Sequence, residues 1–246
     1  REGDKCYLLA GYPWFKATAR EEFLALPGCT MGIGRPEYWD AIVNKTAVEE
    51  IRAFMNGQPH KLAGIDEPDA LLWFIHALQE YAEYTSLEET TRLYGQLIIE
   101  IMLFIRRQQH PRLFLHHNSL LWVDGKERPA TWMNAVENGW PITPRTGYVV
   151  EINALWYNTL KFAAELATAL KAENQADLFD YQAGISGQSL VNKFWNGAYL
   201  YDYIDGDYCN KEVRPNMLFA VSLPYSALDR KQQKSVVDIV TQDLVT

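Results

Sequence analysis

The chain has 246 residues and a formal net charge of −8 at pH 7, with a sequence pI near 5.2, an acidic balance that argues against a nucleic-acid partner held through its phosphates. Its 48% hydrophobic and 22% charged residues describe a globular chain with a large core, and no apolar run is long enough to span a membrane. Cys6, Cys29 and Cys209 cannot all pair and show no C-x-x-C spacing, which reads as a reduced, cytoplasmic compartment without structural zinc.

Helical apolar spacing recurs along the chain. The spacing predicts a short helix over 20–26 that stops at Pro27-Gly28. A second, over 36–55, would bury Tyr38, Trp39, Ile42, Val43, Ile51 and Phe54. A third is expected over 69–84, with Pro68 at its start, where a missing N–H costs nothing. A fourth, over 86–109, opens on Ser86 with Glu89 three residues on, the signature of a capping box. The 110–150 segment carries the apolar runs 113–115 and 120–123 and an Asp124-Gly125 turn signal, so a small ordered β-hairpin or strap over the site is expected there. Further helices are predicted over 151–170, 175–195, 216–223 (opened by Pro215) and 229–244.

These eight helices form four pairs. The segment entering each pair is long and rich in aromatic, Pro and charged residues. The link within each pair is short and plain. Antiparallel hairpins joined by short turns bring all the long loops to one end. The inferred fold is all-α, a toroid of helical hairpins with its site on one face. A plain α-solenoid accommodates the hairpins but gives no reason for aromatic loops at one end only.

The loaded segments hold the chemistry. Tyr12-Pro13-Trp14-Phe15 reads as a hydrophobic plug at a helix start or as the aromatic wall of a sugar subsite, with Arg20 and Glu21 following as an ion pair or as ligands for hydroxyls. Trp132, Asn134, Arg145 and Glu151 surround one helix entry. The helix dipole alone would explain Glu151, and Arg145 would serve as its partner. The crowding of Asn153, Trp156, Tyr157 and Asn158 on the first turns of that helix points instead to a pocket. Planar indoles cover the apolar faces of a pyranose, while amides, arginine and carboxylate satisfy its hydroxyls. Trp14, Trp122 and Trp140 lie beside Pro or Gly or near such turns and are read as loop tryptophans. Asp202, Asp205 and Asp207 with Asn210 match a calcium loop poorly and read as turn formers. His116-His117 would point to opposite faces of a strand. No metal, cofactor, phosphate-cradling glycine motif or nucleophile elbow is indicated.

In order along the chain stand G-Y-P-W-F (11–15), Arg20-Glu21, A-L-P-G (25–28), D-A-L-L-W-F (69–74), T-W-M-N-A (131–135), T-P-R-T-G (143–147), V-E-I-N-A-L-W-Y-N (150–158) and R-P-N-M-L-F-A-V-S-L-P (214–224). With these motifs the chain resembles the C-terminal amylo-alpha-1,6-glucosidase domain of bacterial and archaeal glycogen debranching enzymes. The resemblance implies an (α/α)6 toroid and hydrolysis, with inversion, of α-1,6 branch linkages in glycogen or a related α-glucan, with no cofactor. It places Asn134 where the family has the aspartate taken as general acid, and Glu21 where the family has aspartate. Residues 16–19 also depart from the family pattern. Glu151 is then a candidate for the catalytic carboxyl. Trp14, Arg20, Glu21, Asp69, Trp132, Arg145, Asn153, Trp156, Arg214 and Asn216 are candidate substrate ligands, and Trp14, Arg20, Trp132, Arg145, Glu151 and Arg214 are expected to line one cavity.

Against that family, residues 1–246 read as one partial toroid domain, eight of twelve helices, lacking the N-terminal β-sandwich and the segment that supplies the base. Because an amide cannot protonate a leaving oxygen, a non-catalytic α-glucan-binding module is the alternative function. The isolated chain is expected to hydrolyse no α-1,6 linkage, with or without Asn134→Asp, and to self-associate through the open toroid edge.

Overall fold

The computed structural model describes residues 5–245. They divide into two compact units, the first ending at Pro111 and the second beginning at Arg112. The architecture is mainly helical with two small antiparallel sheets.

The first unit opens with α1 (Ala19–Cys29). This helix continues through Pro27 and does not stop there. Proline lacks an N–H and crowds the carbonyl one turn back, so the helix gives up one ladder hydrogen bond two residues before its end. A 3-10 turn, Met31–Ile33, leads to α2 (Pro36–Trp39), a π-helical run Asp40–Ala47 and α3 (Val48–Met55), which together cover the helix predicted over 36–55. In the π-helical run the Thr46 hydroxyl reaches back to the Ala41 carbonyl at 3.2 Å. Then come α4 (Ala70–Tyr84) and α5 (Leu87–Arg106). At α5 only half of the expected capping box forms. Ser86 Oγ accepts from Glu89 N at 3.1 Å, but the Glu89 carboxylate turns to Arg92 (2.6 and 2.9 Å) and does not reach back to the cap. Helix α1 packs on α4 through Phe23 and Phe74, ring centroids 5.0 Å apart, and α4 packs on α5. Trp39 stacks on Tyr81 at 4.5 Å and donates to Tyr94 Oη at 2.9 Å, filling the core beside α5.

The second unit begins with the segment predicted to hold one hairpin. It holds two. Strands β1 (Phe114–Leu115) and β2 (Leu121–Val123) pair with Leu115 opposite Leu121, so the chain reverses at His116 to Ser119 and not at Asp124-Gly125. The adjacent histidines therefore sit in the turn and not in a strand. His116 Nδ1 lies 2.8 Å from Tyr148 Oη. Trp122 is a strand residue stacked beside His116 and Phe114. Strands β3 (Val136–Glu137) and β4 (Trp140–Pro141) form a separate two-stranded ribbon closed by Asn138-Gly139, both at positive φ (51° and 85°). Asn-Gly is the preferred pair for a two-residue hairpin turn, a signal present in the sequence but absent from the reading above.

Strand β5 (Gly147–Val149) runs directly into α6 (Val150–Ala169), which packs along α7 (Glu173–Phe194). The sheet is completed by β6 (Tyr203–Asp205) and β7 (Tyr208–Cys209), giving the antiparallel order β1-β2-β5-β6-β7. Asp205 and Gly206 do make the turn predicted for them, with Gly206 at φ 58°. A 3-10 turn, Pro215–Leu218, leads into the short α8 (Phe219–Ser222), which packs on α6. The unit ends with α9 (Arg230–Leu244), capped by a reciprocal Asp229–Gln232 box. Among the described residues no helix is long and apolar enough to cross a membrane, and no group of three His, Cys, Asp or Glu is placed to hold a metal ion. Cys6, Cys29 and Cys209 are free thiols.

Candidate functional site

In the second unit, Arg145 stands just before β5, and α6 begins three residues after Gly147, so Glu151 enters the first turn of a buried helix. Strand alternation sets the next partner. Asp202 and Ile204 are buried while Tyr203 and Asp205 are more open, which turns Asp202 toward Arg145. Arg145 is 2% exposed. Its Nη1 and Nη2 grip both oxygens of Glu151, the second at 2.7 Å. Its Nε and Nη2 grip both oxygens of Asp202 at 2.8 and 2.7 Å. Nη1 also donates to Thr131 Oγ1 at 3.1 Å. Every N–H of the guanidinium therefore has an acceptor inside the protein.

The cluster extends outward from Asp202. Arg214 Nη1 donates to Asp202 Oδ2 at 2.8 Å, and its Nη2 pairs with the exposed Glu212. Asn216 Nδ2 donates to Asp202 Oδ1 at 2.8 Å, and Asn216 Oδ1 accepts from Trp132 Nε1 at 2.9 Å. Two guanidiniums and two buried carboxylates balance one another, as burial in low dielectric requires. Burial pushes the Glu151 carboxyl above its usual range, opposed by the charge of Arg145. Burial works against the Arg145 charge too, but Glu151 and Asp202 more than offset it and hold the guanidinium protonated.

The chemical meaning is a frame that ends in one half-exposed indole. Trp132 is 47% exposed and is fixed through Asn216, Asp202 and Arg145 in turn. Asn134 follows it on the surface, its backbone N–H turned back to the Trp132 carbonyl at 2.9 Å. A groove of about 800 Å³, lined by Tyr201, Tyr208, Asn210, Lys211 and Glu212, borders the cluster through Glu212.

Asn153 and Trp156 do not face an open pocket. Both are fully buried. Asn153 donates to the Leu121 and Val149 carbonyls (both 3.0 Å) and accepts from Leu121 N at 2.8 Å, tying β2 to the helix. Trp156 Nε1 donates to the Ser119 carbonyl at 3.0 Å. The Asn158 amide oxygen takes the Tyr225 N–H at 3.1 Å. The crowding of polar groups on the first turns of α6 therefore has a scaffold cause. Buried amides satisfy the backbone of short strands and loops that have few ladder partners.

In the first unit, Arg20 is buried and pairs with Asp69, not chiefly with its neighbour Glu21. Nε lies 2.9 and 2.8 Å from the two Asp69 oxygens and Nη2 lies 2.8 Å from Oδ1. Glu67 is 3.6 Å away and Glu21 3.9 Å. Trp73 Nε1 adds a donor to Asp69 at 3.2 Å. The Asp69 side chain makes no helix cap; it is a counter-ion. The Tyr12–Phe15 turn closes on the Gly11 carbonyl, and Trp14 is 82% exposed. These rings do not plug a helix start, so that reading fails.

Sequence reasoning missed Asp202 as the centre of the second cluster, because two neighbouring turn aspartates gave it a turn reading. The signal was the alternation of Asp202 with Ile204 ahead of the Asp-Gly turn, which marks both as inward residues of one strand. Thr131 was quoted only as part of a motif.

The family model for amylo-alpha-1,6-glucosidase matches residues 2–246. No curated protein matches this chain. Among solved structures, the chain is similar in fold to a GH78 family rhamnosidase of Bacillus sp. GL1, with a TM-score of 0.52 and 17% sequence identity over 72% of this chain. The match spans 18% of that protein's length. The chain belongs to the amylo-alpha-1,6-glucosidase family.

Proposed function

We propose, from membership in the amylo-alpha-1,6-glucosidase family, that this chain serves the hydrolysis of α-1,6-glucosidic branch linkages in glycogen or a related α-glucan, with inversion. The family match over residues 2–246 carries the reading. The packing supports the (α/α)6 form of the fold. Within the first unit α1 lies against α4, and within the second α6 lies against α8, so the first helices of successive pairs are neighbours, as an inner ring requires. The free thiols Cys6, Cys29 and Cys209 suit a cytoplasmic protein.

In this reading Trp132 stacks on a glucose ring, and the Asn134 amide serves its hydroxyls. Arg145, Glu151, Asp202, Arg214 and Asn216 position that indole. In the first unit Trp14 offers an aromatic face and Glu21 a part-exposed carboxylate, with the buried Arg20–Asp69 pair beside Glu21. Inversion needs one carboxyl to protonate the glycosidic oxygen and another to activate water, roughly 6.5–9.5 Å apart. The test is glucose release from a branched limit dextrin by the complete natural polypeptide. Release that Trp132→Ala cuts by about tenfold or more supports the reading. No release above a heat-killed control sinks it.

A specific observation favours a second reading, an α-glucan-binding module without catalysis. Residue 134 is an amide, and both oxygens of Glu151 are held by Arg145. Binding of limit dextrin without glucose release would select this reading.

A further inference from the structure

We propose that the Glu137–Trp140 face of the β3–β4 ribbon is a second sugar subsite, taking a glucose unit other than the one assigned to Trp132. The inference rests on the α-glucan reading above. In the ribbon Glu137 stands directly opposite Trp140, and Val136 opposite Pro141. Side chains alternate across a strand, so Glu137 and Trp140 share one face. On the other face Pro141 is buried and its partner Val136 is 50% exposed, while Trp140 is 62% exposed. The Asn138-Gly139 turn fixes the spacing of the pair.

An indole 62% exposed on a two-stranded ribbon gains little from burial. It marks a surface made for contact. The facing carboxylate narrows the kind of contact. A purely apolar partner would bury Glu137 without a hydrogen bond, which is costly. A phosphate-bearing partner would meet its negative charge. A pyranose suits both groups, with its C–H face on the indole and its hydroxyls donating to the carboxylate.

The ribbon is also rooted in the frame that holds Trp132. Ile142 N donates to the Ala135 carbonyl at 3.0 Å, and Asn134 N to the Trp132 carbonyl at 2.9 Å. Trp132 and the Glu137–Trp140 pair thus lie on one continuous segment whose base is clamped at Asn216 and Arg145. That arrangement fits one glucan chain touching two platforms.

Calorimetric titration of the full chain with maltoheptaose and with maltose tests this. Trp140→Ala is expected to weaken maltoheptaose binding about tenfold while leaving maltose binding within about twofold, as loss of one stacking contact implies. Trp140→Phe should keep most of the affinity, and Glu137→Gln should lose about threefold or more with the loss of a charged acceptor. Wild-type affinity for maltoheptaose in Trp140→Ala overturns the subsite and leaves the α-glucan reading standing. Binding of neither sugar by the wild type overturns both. A wild-type dimer in sedimentation that Trp140→Ala converts to monomer, with sugar affinity unchanged, assigns the face to a second copy and overturns the subsite.

Discussion

Two buried arginines, Arg20 in the first unit and Arg145 in the second, stand near helix entries and meet aspartates, yet their surroundings differ in kind. Arg145 faces two buried carboxylates and a threonine, and no N–H is left over. Arg20 faces one buried carboxylate, Asp69, with Glu67 and Glu21 at 3.6 and 3.9 Å, beyond good hydrogen bonds. The comparison teaches that a motif arginine in a loop is not thereby a ligand. Donor saturation decides its role. Arg145 is saturated by its partners, whereas the buried Arg20 guanidinium is not.

The largest expected effect follows from saturation. Arg145→Met leaves Glu151 buried without its cation and leaves Asp202 with Arg214 and the neutral Asn216 amide. Breaking a buried pair this way costs about 3–5 kcal/mol. Arg145→Lys should recover little, because a single ammonium cannot bridge two carboxylates in a plane. Urea denaturation of each variant measures this, and a loss below about 1 kcal/mol would contradict the clamp assignment. In the first unit, Asp69→Asn keeps an acceptor for Arg20 and Trp73 and removes one charge. Its cost should be smaller, about 1–3 kcal/mol. A cost equal to that of Arg145→Met would erase the distinction between the two sites.

A further buried carboxylate sharpens the contrast, because no cation among the described residues offsets its burial. Glu22 is 1% exposed, accepts from Leu8 N at 2.8 Å, and feels Glu50 nearby. Burial first, with the Glu50 charge adding, pushes its carboxyl from 4.5 up to about 7. The folded state therefore binds the proton more tightly than the unfolded chain does. The stabilisation is fully present below pH 4.5 and is lost as pH rises toward 7. Across that window the loss amounts to roughly 3 kcal/mol from this group alone. Glu22→Gln should flatten this part of the stability–pH profile. An unchanged slope in the variant would show that Glu22 binds its proton equally well in the folded and unfolded chain.

These contrasts also show what the sequence could reveal. Helices α4, α6, α7 and α9 were legible to within two residues, because their long apolar periods, with Pro68 ahead of α4 and Asp229 ahead of α9, leave little choice. The sheet was not, since its strands are two or three residues long and paired across distant segments such as β5 with β6. Such pairing carries no local period. Gly125 and Gly147 show the constraint that fixes it. A Cβ at Gly125 would meet the Arg145 carbonyl oxygen at 2.2 Å, and one at Gly147 the Ile204 carbonyl oxygen at 2.0 Å. Backbone approach of this kind is invisible in one sequence. The Trp132–Asn216 link was within reach only as two members of one candidate site. Asp202, which joins that link to Arg145, was hidden by its aspartate neighbours.

The smallest effect on stability, and the finest test of the contrast between frame and surface, is Asn134→Asp. Asn134 is exposed, and its backbone N–H is engaged by the Trp132 carbonyl. The substitution should therefore change stability by no more than about 0.5 kcal/mol. It restores a carboxyl at the position where the family resemblance implies the general acid. It supplies no second carboxyl, and the buried Glu151 and Asp202 are both held by arginines. Inversion needs an acid on one side of the scissile bond and a base on the other. We therefore expect the 246-residue chain carrying Asn134→Asp to release no more glucose from a branched limit dextrin than the unaltered chain, at any pH. Glucose above a heat-killed control from the variant alone would mean that a base is already in place and that residue 134 was the one missing part.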